Sequence, residues 1–158
     1  PGRPPLSVTL GYRYGAGAFV PGPDDPAPPE DDATPDLSAA PGARLPATRL
    51  PVAGRETSSL RLIGPRPVLI VGPQAGSGPW QEAADRAGLD VARVDDAGTA
   101  TFTGAHGVGP AGAVLVRPDG VVAFRSSDLS APAAAASLDH ACRVLHGHPV
   151  PATLGGTP

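Results

Sequence analysis

The stretch GAVLVRPDGVVAFR, Gly112 to Arg125, constrains the fold of this chain more than any other. Two apolar runs flank Pro118-Asp119-Gly120, which supplies a fixed φ, a side-chain acceptor and a residue free to take a positive φ. That is the chemistry of a tight turn, and it predicts an antiparallel hairpin. Neither run carries a nucleophile, an acid–base pair or a metal ligand. The hairpin speaks of fold alone, and the rest of the chain must supply the elements that cover it.

Those elements follow in a regular order. PVLIVG, Pro67 to Gly72, is a continuous apolar run, the pattern of a strand buried on both faces. A loop, PQAGSG, leads to Pro79 in the first turn of a helix whose Trp80, Ala83, Ala84 and Ala87 share one face. Gly88 ends that helix, and DVARV, Asp90 to Val94, reads as a second strand. A strand–helix–strand of this length implies a parallel pair joined right-handedly. A glycine-rich connection then leads into the hairpin. The last helix starts near Ser130 with Pro132 in its first turn, and Leu138, Ala141, Cys142 and Leu145 form one apolar stripe. The order β-α-β, then β-β-α, predicts an α/β fold of thioredoxin-like type, a mixed sheet with helices packed on it.

The first third reads differently. Twelve of the 22 prolines lie before Gly64, which predicts an extended arm and connector over 1–64, a thioredoxin-like domain over 65–148 and a disordered tail over 149–158. LSVTLGYRY, residues 6–14, alternates like a short strand. From Pro21 to Pro41, proline denies the backbone both helix and ladder, and Asp24, Asp25, Glu30, Asp31, Asp32 and Asp36 favour solvation, so this stretch reads as a loop or linker. In residues 42–64, Leu45-Pro46 and Leu50-Pro51 suggest an extended segment lying across a surface, with Ser59 to Ile63 as a short edge strand or turn.

Composition excludes several classes of function. The net charge is −3, and the chain has twelve scattered arginines and no lysine, which argues against nucleic acid as a partner. A single cysteine, Cys142, leaves no internal disulfide and no CxxC redox or zinc site. No run approaches the ~20 apolar residues of a membrane span, and no signal peptide is visible, so the expected location is cytoplasmic and away from membranes. A chain that begins with Pro and contains no Met reads as a processed product or as one piece of a longer polypeptide.

The residues with chemical potential are few. The loop Gly72 to Pro79 sits where a thioredoxin keeps its catalytic cysteines, but GPQAGSGP holds no sulfur and no P-loop lysine, and Gly72, Gly76 and Gly78 miss the dinucleotide spacing. It reads as a flexible turn. Ser77 lacks the GxSxG elbow of a nucleophilic serine. Cys142 lies on the apolar stripe and reads as a buried small hydrophobe. His140, His146 and His148 cluster near the C-terminus without an acid or thiolate to complete a zinc shell. Asp95 and Asp96 are adjacent on an extended chain and point to opposite faces, which weakens an acid–base dyad. Trp80 reads as a core anchor. No residue is assigned a catalytic, cofactor-binding or metal-binding role.

GAVLVRPDGVVAFR is similar to the hairpin near the end of flavin-dependent aromatic hydroxylases of the phenol hydroxylase, dichlorophenol monooxygenase and polyketide hydroxylase type. LGYRY at Leu10 to Tyr14, PGARLPATRL at Pro41 to Leu50 and SSLRLIGPRPVLIVG at Ser58 to Gly72 resemble the same family in the same order. The resemblance implies a C-terminal thioredoxin-like domain that has lost its redox cysteines. It implies a whole enzyme that uses NAD(P)H, FAD and oxygen to hydroxylate a phenol or polyketide ring. The family's FAD motifs have no counterpart in this sequence, so no cofactor is expected on this chain alone. The expected partner is the FAD- and substrate-domain portion of the same enzyme, with the arm from Leu6 to Ile63 as contact surface and homo-oligomerisation left open. Two alternatives stand beside this reading: a free-standing thiol-less binding or assembly module, and an oxidoreductase acting through an exposed Cys142.

Overall fold

The computed structural model describes residues 13–14, 17–22, 25–27, 36–76, 78–129 and 132–147. Its centre is a four-stranded sheet, in the order β4-β3-β5-β6, made of β3 (Val68–Val71), β4 (Asp90–Arg93), β5 (Ala113–Val116) and β6 (Val122–Ser126). β3 runs parallel to β4 and antiparallel to β5, and β5 pairs antiparallel with β6. Every residue of the two central strands is buried, as their unbroken apolar sequences require.

The β5–β6 connection forms the predicted turn. Gly120 takes φ +82°, its N–H donates to Arg117 O at 2.9 Å, and Asp119 Oδ1 accepts from Val121 N at 3.2 Å. On one face of the sheet lie α1 (Pro79–Arg86) and α3 (Pro132–Leu145). Trp80, Ala83, Ala84, Leu138, Ala141 and Cys142 pack there against Leu69, Val71, Leu115 and Phe124. The helix stripes read from the sequence are therefore the faces that the helices bury.

The second face is where structure departs from expectation. Residues 99–106, TATFTGAH, belong to the stretch read as a glycine-rich connection, yet they form α2 (Thr99–His106). Its three threonines and Gly104 are poor helix formers, so local propensity gives no warning. Burial supplies what propensity lacks: Phe102 and His106, one turn apart, are both fully buried. Gly107 closes the helix at φ +63°, its N–H bonded to Thr103 O at 3.0 Å.

Residues 49–58 correct a second expectation. Read as an extended surface segment, they fold into a hairpin of β1 (Arg49–Val52) and β2 (Arg55–Ser58). Ala53 and Gly54 form its two-residue loop at φ +52° and +73°, the left-handed pair a primed turn demands. Pro51 is tolerated because this sheet has only two strands and each is an edge. The Pro51 carbonyl is put to use, accepting from Asp95 N at 2.8 Å, so β1 docks just beyond the end of β4. Ser59–Leu62 is a 3-10 turn.

The described parts of the arm lie against the sheet. Ala39, Leu45 and Leu50 join Phe102, Ile70, Val94, Val114 and Val122 in the second apolar cluster. Gly42 N donates to Val122 O and Val122 N to Ala43 O, both at 2.9 Å, and Val20 N donates to Ala123 O at 2.7 Å. The arm thus covers the open edge of β6, which would otherwise present unpaired backbone groups. Of the strand expected over 6–14, only Arg13 and Tyr14 fall within the described residues; the tail from 149 lies outside them.

Gly72 joins β3 to the loop, and its constraint is contact rather than conformation. A Cβ there would run into the carbonyl of Pro110, and Gly72 N already bonds Gly112 O at 2.9 Å. Replacing Gly72 by Ala is expected to cost on the order of 3 kcal/mol by forcing β3 and the 110–112 segment apart. Urea unfolding of the variant beside wild type measures it; an unchanged midpoint would show that the backbone gives way freely.

Candidate functional site

The polar interactions of greatest reach converge on Arg125, near the end of β6. Its Nε donates to Asp25 Oδ1 at 2.5 Å, and its Nη1 donates to Ser38 O at 2.7 Å and to His106 O at 3.0 Å. One guanidinium thereby ties together β6, two stretches of the arm and the C-terminus of α2. The side chains of Arg125 and Asp25 are 11% and 5% exposed, so the pair is largely withdrawn from water. A second pair holds the arm to itself. Arg13 Nη1 lies 3.5 Å from Asp36 Oδ2, its Nε donates to Pro41 O at 3.0 Å, and Nη1 also reaches Pro26 O at 2.5 Å.

These pairs correct the reading of residues 21–41 as a solvated acidic linker. Asp25 and Asp36 are buried counter-ions, because each meets an arginine carried in from a distant part of the sequence. Nothing local distinguishes them from the other four acids of that stretch. The remaining signal is weak: Arg125 is a charged residue at the end of an apolar strand.

His106, which sequence reading passed over, lies beside the same junction. Its Nδ1–H donates to Phe102 O at 2.8 Å, and its ring centroid is 5.1 Å from that of Phe102. Among the described residues, its Nε2 is the one buried side-chain polar atom without a hydrogen-bond partner. Burial lowers its pKa below the ordinary 6.5, opposed by the bond to the Phe102 carbonyl.

The loop between β3 and α1 is committed to internal bonds. Gln74 N donates to Pro110 O at 3.0 Å and Ala75 N to Gly72 O at 3.1 Å, while Trp80 Nε1 donates to Ala75 O at 2.8 Å. Arg93 donates to Gly76 O at 2.7 Å and stacks its guanidinium 5.4 Å from the Trp80 ring centre. Trp80 is 1% exposed, a core anchor as expected. The N–H groups of Gly72, Gln74 and Ala75 are thus engaged within the fold. Ser77 lies outside the described residues.

Asp95 and Asp96 do not form a dyad. Asp95 Oδ2 accepts from Gly54 N at 2.8 Å, bracing the β1–β2 turn, while the exposed Asp96 opens the 3-10 turn Asp96–Gly98. His140 and His146 lie on or just past α3, and no group of three metal-ligating side chains occurs among the described residues; His148 lies outside them.

Cys142 sits at the side of a cleft of about 300 Å³ between α1 and α3, which Arg86, Asp139, Arg143 and His146 also line. The thiol is 5% exposed, and its pKa is pushed up to about 11, mainly by burial and further by Asp139, with Arg143 opposing. A thiol held there is protonated at neutral pH and is a poor nucleophile.

A mixed four-stranded sheet with two helices on one face and α2 and the arm on the other is an α/β domain. The chain belongs to the aromatic-ring hydroxylase C-terminal family, which matches residues 38–149. It is 37% identical over 157 residues to a 4-methyl-5-nitrocatechol 5-monooxygenase of a Burkholderia species, covering 89% of this chain and 28% of that protein. It is 35% identical over 163 residues to a tetracenomycin A2 monooxygenase-dioxygenase of Streptomyces glaucescens, covering 96% and 27%. Among solved structures it is similar to an aklavinone-11 hydroxylase bound to FAD and aklavinone, with TM-score 0.67, 33% identity and coverage of 89% and 27%. It is also similar to the flavin-dependent monooxygenase PieE bound to FAD and substrate, with TM-score 0.68, 37% identity and coverage of 90% and 26%. The chain spans about a quarter of the length of these relatives.

Two outcomes follow from this geometry. Asp25→Asn leaves a buried guanidinium without its counter-charge and is expected to cost about 3–5 kcal/mol in a urea melt, against less than about 0.5 kcal/mol for an exposed control such as Asp96→Asn. Equal effects would mean that the pair contributes nothing special. For Cys142, a pKa near 11 in place of 9.0 lowers the thiolate fraction by about a hundredfold. Thiol labelling at pH 7.5 should therefore run at least about a hundredfold slower in the native protein than in urea; rapid native labelling would revive a reactive thiol.

Proposed function

We propose that this chain is the C-terminal structural and contact domain of an FAD- and NAD(P)H-dependent aromatic ring hydroxylase, and that it performs no step of the reaction itself. The observation that carries this reading is the family match over residues 38–149, on a chain that spans about a quarter of its monooxygenase relatives. In the whole enzyme the flavin, reduced by NAD(P)H, supplies activated oxygen for hydroxylation of a phenol or polyketide ring. This chain supplies packing surface; the Gly72, Gln74 and Ala75 amides of its helix-entry loop are bonded within the fold, and its thiol is held protonated.

The domain plan we propose places a thioredoxin-like unit at 65–148 and an arm and connector at 1–64, followed by a tail from 149. The order β3-α1-β4 followed by β5-β6-α3 supports the thioredoxin-like reading. The contact surface for the flavin- and substrate-binding portion is assigned to the arm. Among the described residues no helix is long and apolar enough to cross a membrane, and a cytoplasmic enzyme is the reading we adopt.

The purified chain is expected to be colourless and to leave FAD fluorescence unchanged. The protein isolated from its native source should have a much larger intact mass and show flavin absorbance. A native product of this chain's mass, free of flavin, would overturn the proposal in favour of a free-standing module.

A further inference from the structure

His106 presents a buried polar atom that the support function does not use. Its ring is fully buried, Nδ1–H is engaged with Phe102 O, and Nε2 has no partner among the described residues. Its own carbonyl, at the C-terminal end of α2, accepts from Arg125 Nη1, and that same nitrogen also holds Ser38 O of the arm. Ring and clamp are thus joined through one residue.

We propose that His106 is a pH-sensitive latch for the arm: neutral, it lets the end of α2 seat under the Arg125 clamp, and protonated at Nε2 it releases the clamp and uncovers the edge of β6. The charges around it explain the direction. Arg125 comes from β6, and Asp25, the acid of this junction, is already committed to Arg125 at 2.5 Å. β1 and the Asp96–Gly98 turn also pack on α2, and the charged residues they carry there, Arg49 and Asp96, are exposed to solvent. Phe102, the ring against which His106 lies, belongs to an apolar cluster with Ala39, Leu45, Val108 and Val122. A proton on Nε2 therefore places a charge in a buried site that offers the new N–H no acceptor among the described residues, in the residue whose carbonyl the clamp holds.

The sign follows from proton linkage. Burial holds the closed-state pKa below the ordinary 6.5, so an open or unfolded form takes up the proton that the closed form resists. The closed state is favoured in full above about pH 6.5. As pH falls below that value, the opening equilibrium rises by up to about tenfold per pH unit until the closed-state pKa is reached.

Hydrogen exchange of the whole chain, followed by NMR from pH 7.5 to 5 and corrected for intrinsic exchange rates, tests the latch. The amides of Val20, Gly42 and Val122, which bond Ala123 O, Val122 O and Ala43 O across the β6 edge, should lose protection by up to about tenfold per pH unit below 6.5. The amide of Ile70, in the central strand β3, should stay protected over the same range. His106→Asn keeps a side-chain donor for Phe102 O and does not titrate, so its β6-edge protection should be flat with pH. His106→Phe keeps the ring volume and serves as the second non-titrating variant. An edge that stays protected in wild type overturns the latch, as does a pH-dependent loss that persists in either variant. If neither variant folds, the wild-type ring resonance decides: His106 must titrate at the pH where the edge opens, and a mismatch overturns the proposal.

Discussion

The guanidinium of Arg125 carries the tertiary organisation of this domain because one side chain joins three separate parts of the chain. It reaches Asp25, Ser38 and His106 from the end of β6, so the sheet, the arm and α2 meet at one charge. Taking an arginine and an aspartate out of water is costly, and the cost is offset only when the remaining N–H groups find acceptors. Here two backbone carbonyls provide them. The Arg13–Asp36 pair follows the same logic one layer out, with Pro26 and Pro41 carbonyls filling the guanidinium's other positions.

That arrangement explains why a proline-rich arm can remain ordered against the sheet. Proline removes backbone donors, and before β1 the described residues of the arm form no strand ladder among themselves. The arm borrows bonds instead: Gly42, Ala43 and Val20 pair with the edge of β6, and Leu45 and Leu50 fill the second apolar layer. The edge strand gains a cover and the arm gains a template. The loop between β3 and α1 is held in a similar way, by the amides of Gly72, Gln74 and Ala75 and by the Trp80 indole bonded to Ala75 O.

Elements with strong periodicity are legible in the sequence. The runs of β3, β5 and β6, the stripes of α1 and α3, and the Pro118-Asp119-Gly120 turn all state their structure within a few residues. α2 was hidden because TATFTGAH has weak helix propensity and only two core-facing side chains, Phe102 and His106. The β1–β2 hairpin was hidden by Pro51 and by Ala53, an unusual residue for a left-handed turn position. The candidate site divides the same way. The inertness of Cys142 and the anchoring role of Trp80 could be read from their positions on amphipathic helices. The Arg125 junction could not, because its partners stand 19, 87 and 100 residues away.

The sequence by itself determined the mixed sheet, the two flanking helices, the turn that joins β5 to β6, and the family to which the chain belongs. Those features rest on local pattern, on alternation, helical spacing and turn chemistry, and each is written where it acts. Only the tertiary structure decided that Asp25 and Asp36 are buried against arginines, why a weak helical segment folds, and where an unpaired imidazole nitrogen comes to lie. The physical reason is that burial of a charge or a polar atom depends on what the fold brings beside it, and that neighbour is distant in the chain.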